Sequence, residues 1–191
     1  MILPYLILAH LLGDFVFQPS SLAMWKMKSM AGTLVHVLVH FAINLIILLP
    51  FLVNGYYWLI YVVAGICVTH FLIDEAKINY DLKHDKKVKP FVIDQLLHII
   101  TLLAANFFLS DVIFSFPANL FYKFYTNSAF IIFLSFLVLA TTVVEIYNFQ
   151  KLREKNAKAK LKLHSRQMLN RVIVFTLIYA LFMFVALLLS N

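Results

Sequence analysis

Long apolar runs alternate along the chain with short polar connections, and this pattern predicts a bundle of helices that cross a membrane. Each run approaches the ~20 residues that an α-helix needs to span a bilayer. The six predicted spans are residues 2–19, 31–54, 56–78, 90–110, 127–148 and 171–190. The predicted fold class is therefore an all-α integral membrane protein with six transmembrane helices.

The connections between spans carry signals of their own. Residues 20–30 alternate Met, Leu and Trp with Lys26 and Lys28, which is typical of an amphipathic helix in the membrane interface. Residues 111–126 are rich in aromatic side chains and include Pro117, as expected for a connection in the headgroup zone. The basic stretch 149–171 has few helix breakers, so we expect it to continue the last two spans as helix.

Ionisable residues interrupt four of the apolar runs in pairs spaced four residues apart. That spacing places both members of a pair on the same face of a helix. Ionisable groups inside a membrane segment are costly, so they indicate a functional site. The pairs are His10/Asp14, His36/His40, His70/Asp74 and Asp94/His98.

The order of residues within the pairs predicts that they meet at two depths in a four-helix core made of spans one to four. His precedes Asp in spans one and three, whereas Asp precedes His in span four, which runs the opposite way. The predicted deeper layer contains His10, His40, His70 and His98, and the shallower layer contains Asp14, His36, Asp74 and Asp94.

Five imidazoles and three carboxylates are the donors that divalent metals use in helical bundles. We therefore expect one or two divalent ions, with zinc first and manganese or iron as alternatives, and with all eight residues as candidate ligands. Eight donors exceed the four of a single zinc site, so either two ions bind or some of the eight residues orient ligands or act as a general base. Asp14, Asp74 and Asp94 are the candidate catalytic residues, because a carboxylate not used as a ligand can act as a general base.

Nearby polar residues are candidates to orient these ligands or a substrate. Isolated polar residues of this kind also stabilise helix packing in membranes, and that alternative stays open. The candidates are Gln18, Asn44, Lys77, Gln95 and Glu145.

The distribution of Lys and Arg residues predicts how the chain is oriented in the membrane. The connections at 20–30, 78–90 and 149–171, taken with the helix ends beside them, hold 15 of the 16 Lys and Arg residues. By the positive-inside rule these connections are cytoplasmic, both termini lie outside, and the site faces the cytoplasm. We expect a multi-pass protein of a cytoplasmic (inner) membrane whose basic loops attract anionic lipid headgroups. Membrane topology accounts for the basic charge, so no nucleic-acid partner is predicted; a homo-oligomer is compatible with the sequence.

Two parts of one structural domain are predicted. Residues 1–110 form the four-helix core with the His/Asp site, and residues 111–191 add two helices and their basic connection. Cys67 is the single cysteine, which excludes an intrachain disulfide.

The segments AHLLGDFVFQ, LVHVLVH, THFLIDEAK and FVIDQLLH resemble a family of bacterial integral membrane proteins known as domain of unknown function 3307. The resemblance covers about residues 1–110. It implies a family but brings no activity with it. Its motif positions in this chain are His10, Asp14, Gln18, His36, His40, His70, Asp74, Lys77, Asp94, Gln95 and His98. The helical His/Asp pairs are also similar in style to membrane-bound metal-dependent hydrolases, including the ceramidase-like ones.

The leading functional hypothesis is a metal-dependent hydrolase that acts on a lipid or lipid-linked ester, amide or phosphoester at the cytoplasmic leaflet. A transporter for divalent metal or protons would use the same cluster as a transient binding site. A haem-binding protein with two axial histidines is a further alternative, and a structural or partner-binding membrane subunit is the fourth.

Overall fold

A computed structural model describes residues 2–109, 112–156 and 158–189, and the regular elements in these ranges are all helical. The elements, in chain order, are α1 (Leu3–Phe15), α2 (Ser20–Lys26), α3 (Met30–Val53), α4 (Leu59–Asp81), α5 (Val88–Phe108), α6 (Leu120–Tyr125), α7 (Ser128–Val138), a π-helical turn (Leu139–Val143), α8 (Val144–Lys155) and α9 (Ser165–Leu189).

Five helical segments are long and apolar enough to cross a membrane, which confirms the predicted all-α membrane class. They are α3, α4, α5, the continuous α7–π–α8 segment and α9. The sixth predicted span depends on α1 and α2, which meet at a bend of 89°.

The first span is shorter than predicted. Residues 2–19 were expected to form one helix, but α1 contains only 13 residues. At a rise of ~1.5 Å per residue it is about 20 Å long, less than the ~30 Å hydrocarbon core of a bilayer. Pro19 contributes to the early end, because the residue before a proline disfavours helical backbone. Ten of the 13 residues of α1 are buried, so neighbouring helices enclose this short helix.

Helices α1, α3, α4 and α5 pack together into the predicted four-helix core. Helix α7 lies along α1 as well, on a side that the other three leave open. Helix α9 contacts α7 and the π-helical turn, and its described residues include none that is buried. The last helix is therefore a peripheral addition to the bundle.

Aromatic residues close one end of the bundle, which we call the aromatic end. Tyr5 of α1 donates a hydrogen bond to the carbonyl of Tyr125 (2.6 Å), and Tyr125 donates to the carbonyl of Ile47 in α3 (2.8 Å). The side chain of Phe51 packs edge-on against the rings of Tyr5 and Phe114. The connection predicted to lie in the headgroup zone thus folds, with α6, over the end of α1 and α3.

The opposite end, which we call the basic end, is where the three basic connections meet. The carboxylate of Glu154 in α8 accepts hydrogen bonds from the backbone N–H groups of Lys87 (2.7 Å) and Val88 (2.9 Å), where α5 begins. Helix α8 extends the fifth predicted span to Lys155, and α9 begins at Ser165, ahead of the sixth, so helix continues into the basic stretch from both sides, but residues 158–164 between them are not helical. The chain must reverse there because α9 returns antiparallel to α7, and a continuous helix cannot reverse.

Residues 20–26 form the predicted short helix at the basic end. The side chains of Met24 and Trp25 are exposed and that of Leu22 is buried. Helix α2 contacts α3 so closely that a Cβ atom on Gly32 would lie 2.5–2.7 Å from backbone atoms of Trp25 and Lys26. The absence of a side chain at Gly32 is therefore what lets α2 dock on α3.

We expect Gly32→Ala to lower the free energy of unfolding by about 1–3 kcal/mol, the usual cost of overpacking, because backbone cannot move aside as a side chain can. Gly65→Ala is the matched control, since a Cβ on Gly65 meets nothing within 4 Å. Denaturation of both variants in detergent measures the difference. Equal stability of the two variants would contradict the close α2–α3 contact.

The fold places both described chain ends at the aromatic end, and the positive-inside rule predicts that this end lies outside. In a Cys67→Ala background, we expect Lys123→Cys to react with a membrane-impermeant maleimide in intact cells. We expect Lys160→Cys to react only after permeabilisation. Both side chains are exposed in the structure, so the reverse labelling pattern would show that the orientation is inverted.

Candidate metal centre

All eight residues of the four i,i+4 pairs face the interior of the four-helix core. Counted over the whole residue, none of the eight is more than 8% exposed. Helix α1 contributes His10 and Asp14, and α3, α4 and α5 contribute one pair each. The helical spacing therefore turns every pair inward, as the sequence indicates.

Asp14 is the point on which the imidazoles converge. Its Oδ1 atom lies 2.9 Å from His40 Nε2, 3.1 Å from His36 Nε2 and 3.6 Å from His70 Nε2. Its Oδ2 atom accepts a hydrogen bond from the side-chain amide of Gln95 at 3.0 Å. Three helices other than α1 thus reach the same carboxylate.

Asp14, His36, His40 and His70 offer ligand atoms that all lie within 4.8 Å of one another. Ligands around a tetrahedral ion with bonds near 2.1 Å are about 3.4 Å apart. The distances from Asp14 Oδ1 bracket that value. His36 Nε2 and His70 Nε2 are 3.3 Å apart, and protons on both atoms would occupy the same space. Nitrogen and carboxylate donors in this arrangement fit a divalent cation.

A second group consists of His70, Asp74 and His98. The rings of His70 and His98 stack with centroids 4.0 Å apart. His70 Nε2 is 3.5 Å from Asp74 Oδ2, close to its 3.6 Å separation from Asp14 Oδ1. Because one ring nitrogen binds one ion, His70 links the two groups, and this second group is the looser one.

Asp94 and His10 lie beside both groups without belonging to either. Asp94 Oδ1 and His98 Nε2 are buried atoms without a hydrogen-bond partner among the described residues, and they are 3.5 Å apart. His10 Nε2 is 3.2 Å from Gln95 Oε1. Buried polar atoms without partners are rare in folded proteins, and here they indicate room for an ion, a water molecule or a substrate atom.

Lys26 is a member of the centre that the sequence interpretation missed. Its ammonium lies 2.6 Å from Asp74 Oδ2, and its side chain is 12% exposed. Sequence reasoning assigned Lys26 to the polar face of an interfacial helix, and the bend between α1 and α2 is what points it inward. The alternation of Lys26 with apolar neighbours gave no sign of this contact.

Two of the predicted orienting residues touch the centre. Gln95 bridges Asp14 and Asp94 through its amide nitrogen (3.0 and 3.1 Å), and Gln18 lies 3.0 Å from His36 Nδ1. Asn44 donates a hydrogen bond to the backbone carbonyl of His40, one turn earlier in the same helix. Asn44 also lines a small cavity at the centre, beside His10 and His70.

The other two predicted orienting residues form their ion pairs outside the two groups. Lys77 pairs with Asp81 (3.2 Å) at the end of α4, and its charge also interacts with the carboxylates of Asp94 and Asp74. Glu145 pairs with His164 (2.8 Å) and Arg171 (3.0 Å), and Arg171 also donates to the carbonyl of Ala140 in the π-helical turn. The His164 side chain is 46% exposed and nevertheless contacts Glu145, because the loop folds back onto α8.

Gly13 explains how α1 and α3 approach closely enough for this geometry. A Cβ atom at Gly13 would overlap the ring of His40. The small residue between His10 and Asp14 therefore makes space for the imidazole that lies nearest Asp14.

The centre is closed toward the aromatic end. A cavity of about 10 Å³, room for a single water molecule, lies against His10, His40, His70 and His98. Its other walls include Leu6, Ile66 and Leu102, which belong to the bundle's apolar core. The more exposed residues of the centre, Lys26 and Gln95, lie on its other side, toward the basic end and away from these apolar side chains.

Comparison with known proteins identifies a family. The sequence model of the family described as "Protein of unknown function (DUF3307)" matches residues 2–130. This range extends beyond the predicted 1–110 and contains the whole centre, Lys26 included. Glu145, His164 and Arg171 lie outside it. No curated protein and no solved structure matches the chain.

The two overlapping groups predict distinct metal losses. We expect His40→Ala to weaken metal binding by the first group and His98→Ala to weaken metal binding by the second. His70→Ala should weaken metal binding by both groups, because His70 belongs to both. Elemental analysis of purified protein, reloaded with zinc, manganese or iron, measures the bound equivalents. His84→Ala, an exposed loop histidine, is the control and should bind metal as the wild type does. Equal metal content in all four variants would contradict a His/Asp metal centre.

Proposed function

We propose that this chain, which belongs to the DUF3307 family, is a membrane-embedded metal-dependent hydrolase for a lipid or lipid-linked ester, amide or phosphoester. The observation that carries the proposal is the position of Asp94. Its buried Oδ1 atom lies beside two groups of metal-binding side chains but has no hydrogen-bond partner among the described residues. A spare carboxylate next to a metal site is what a hydrolytic centre needs.

The residues that would hold a divalent ion are Asp14, His36, His40 and His70, with His70, Asp74 and His98 as a second position. Zinc fits the imidazole and carboxylate donors best, and manganese and iron accept the same donors. A bound ion lowers the pKa of water toward neutrality and polarises the scissile group.

Asp94 is the proposed general base. In hydrolysis, the oxygen of water forms a bond to the carbonyl carbon or phosphorus, and the bond to the leaving group breaks. Asp94 takes the proton from that water and returns it to the leaving oxygen or nitrogen. Gln95 donates to Asp94 Oδ2 at 3.1 Å and to Asp14 Oδ2 at 3.0 Å, so one amide positions both carboxylates.

Access to the centre supports hydrolysis over transport. A transporter exposes its site to each side of the membrane in turn, along a path that polar side chains line in both halves of the bundle. Between the centre and the aromatic end lie Leu6, Leu48, Val63 and Leu102, which are at most 3% exposed. The basic end holds the more exposed polar residues, so we propose that substrate enters there, from the leaflet that the positive-inside rule makes cytoplasmic.

The membrane and its anionic headgroups are the proposed partners of the basic connections. The haem hypothesis is not favoured, because a cavity of about 10 Å³ is far below the roughly 300 Å³ of small cofactor sites. His70 and His98 stack directly, which leaves no slot for a macrocycle between them.

Replacement of the proposed base should separate chemistry from metal binding. We expect Asp94→Asn to keep its bound metal but to hydrolyse about 10²- to 10⁴-fold more slowly, because an amide cannot accept the proton. The assay uses metal-loaded protein in nanodiscs with acyl-chain chromogenic esters, amides and phosphoesters. Asp85→Asn, an exposed loop aspartate, is the matched control and should retain the wild-type rate.

Wild-type turnover by Asp94→Asn would remove Asp94 from the mechanism. Metal flux into proteoliposomes, blocked by His40→Ala and without hydrolysis of any probe, would replace the hydrolase with a transporter.

A further inference from the structure

Lys26 supplies a fixed positive charge inside the His/Asp centre. Among the described residues it is the one lysine or arginine whose side chain contacts a member of the two metal-binding groups. An ammonium has three N–H donors. Asp74 Oδ2 accepts one of them at 2.6 Å, and no other acceptor for the Nζ atom is found among the described residues. Two donors therefore remain for a ligand.

The position of Lys26 is that of a residue at the entrance. Its side chain is 12% exposed, whereas those of Asp14 and Asp74 are 9% and 6% exposed. It belongs to α2, whose Met24 and Trp25 face outward at the basic end. Amphipathic helices of this type lie at the depth of the lipid headgroups. A headgroup entering the centre would meet the Lys26 ammonium before the metal ligands.

We propose that Lys26 binds the phosphoryl group of the substrate, so that the substrate class is a phosphoester rather than a carboxylic ester or an amide. This inference rests on the proposed function. A neutral ester or amide has no anionic group to pair with a second cation beside a metal. A phosphoryl group has anionic oxygens for both the ion and the ammonium, and lysine binds phosphate as a point charge.

The α2–α3 contact involves backbone rather than the Lys26 side chain. The backbone of Trp25 and Lys26 lies directly against Gly32, whereas the Lys26 ammonium reaches Asp74 in α4. Asp74 also has imidazole neighbours, with His70 Nε2 at 3.5 Å and His36 Nε2 at 3.6 Å from its Oδ2 atom.

The reaction balances with residues of the centre. The oxygen of water bonds to phosphorus, and the phosphorus–oxygen bond to the alcohol breaks. Asp94 accepts the proton of the water and passes it to the leaving alkoxide. Lys26 stays protonated throughout and pairs with the non-bridging oxygens.

Inorganic phosphate is the probe that tests this role without turnover. Calorimetric titration of metal-loaded protein in nanodiscs should show phosphate binding weakened about 10- to 100-fold in Lys26→Ala, the range for losing a charge-assisted hydrogen bond. Lys26→Arg, which keeps the charge, should bind within a few fold of the wild type. Lys28→Ala, which removes an exposed lysine two residues away, is the matched control and should bind like the wild type. Elemental analysis should find the same metal content in all four proteins.

The outcomes separate this inference from the proposed function. Wild-type phosphate binding by Lys26→Ala at full metal content, or no phosphate binding by the metal-loaded wild type, overturns the inference alone. Loss of metal from Lys26→Ala also overturns it, because the role of Lys26 would then be to hold the Asp74 carboxylate in position for the metal. A wild type that takes up no metal overturns the proposed function and this inference with it.

Competition distinguishes the two sources of a phosphoryl group. Displacement of inorganic phosphate by phosphatidate in nanodiscs, but not by glycerol 3-phosphate, supports a lipid headgroup as the substrate. Displacement by both compounds supports a phosphoester recognised without its acyl chains.

Discussion

The burial of carboxylates inside a membrane bundle is the constraint on which the rest of the structure depends. An ion taken out of water costs several kcal/mol unless it is paired and hydrogen-bonded. Asp14, Asp74 and Asp94 are each at most 8% exposed. Their partners come from four helices and from Lys26 of α2, so the pairing can form only when those elements assemble. A divalent ion would take over much of this pairing, which couples metal binding to the stability of the bundle.

The same constraint divides the molecule into two ends. Polar and ionisable side chains lie toward the basic end, whereas apolar core residues and a cluster of aromatic rings fill the aromatic end. Helix α1 shows the consequence most clearly. It is too short to cross a bilayer as a lipid-facing helix, but α3, α5 and α7 surround it, and its side chains need no contact with lipid. The bend after α1 then brings a lysine from the membrane interface to Asp74.

Contacts between the two predicted parts of the chain join them at both ends. Helix α7 packs on α1, and Tyr125 of α6 bonds to α3. At the basic end, Glu154 accepts from the first backbone N–H groups of α5, the helix that carries Asp94 and His98. The π-helical turn exposes the carbonyl of Ala140 to Arg171, and Glu145 pairs with the same guanidinium. Polar contacts therefore join α8 to the core and α9 to the segment that contains α8, although neither helix contributes a side chain to the two candidate metal-binding groups.

By itself the sequence determined the membrane class, the inward faces of four helices and the eight ionisable residues, because hydropathy and a four-residue spacing are local properties of a helix. The tertiary structure decided what no local pattern contains. It ended α1 early, turned Lys26 inward, left Asp94 outside both candidate metal-binding groups, and paired Glu145 with His164 and Arg171 instead of with the centre. These outcomes depend on which helices are neighbours and on the bends between them, and distances between side chains of different helices exist only once the chain has folded.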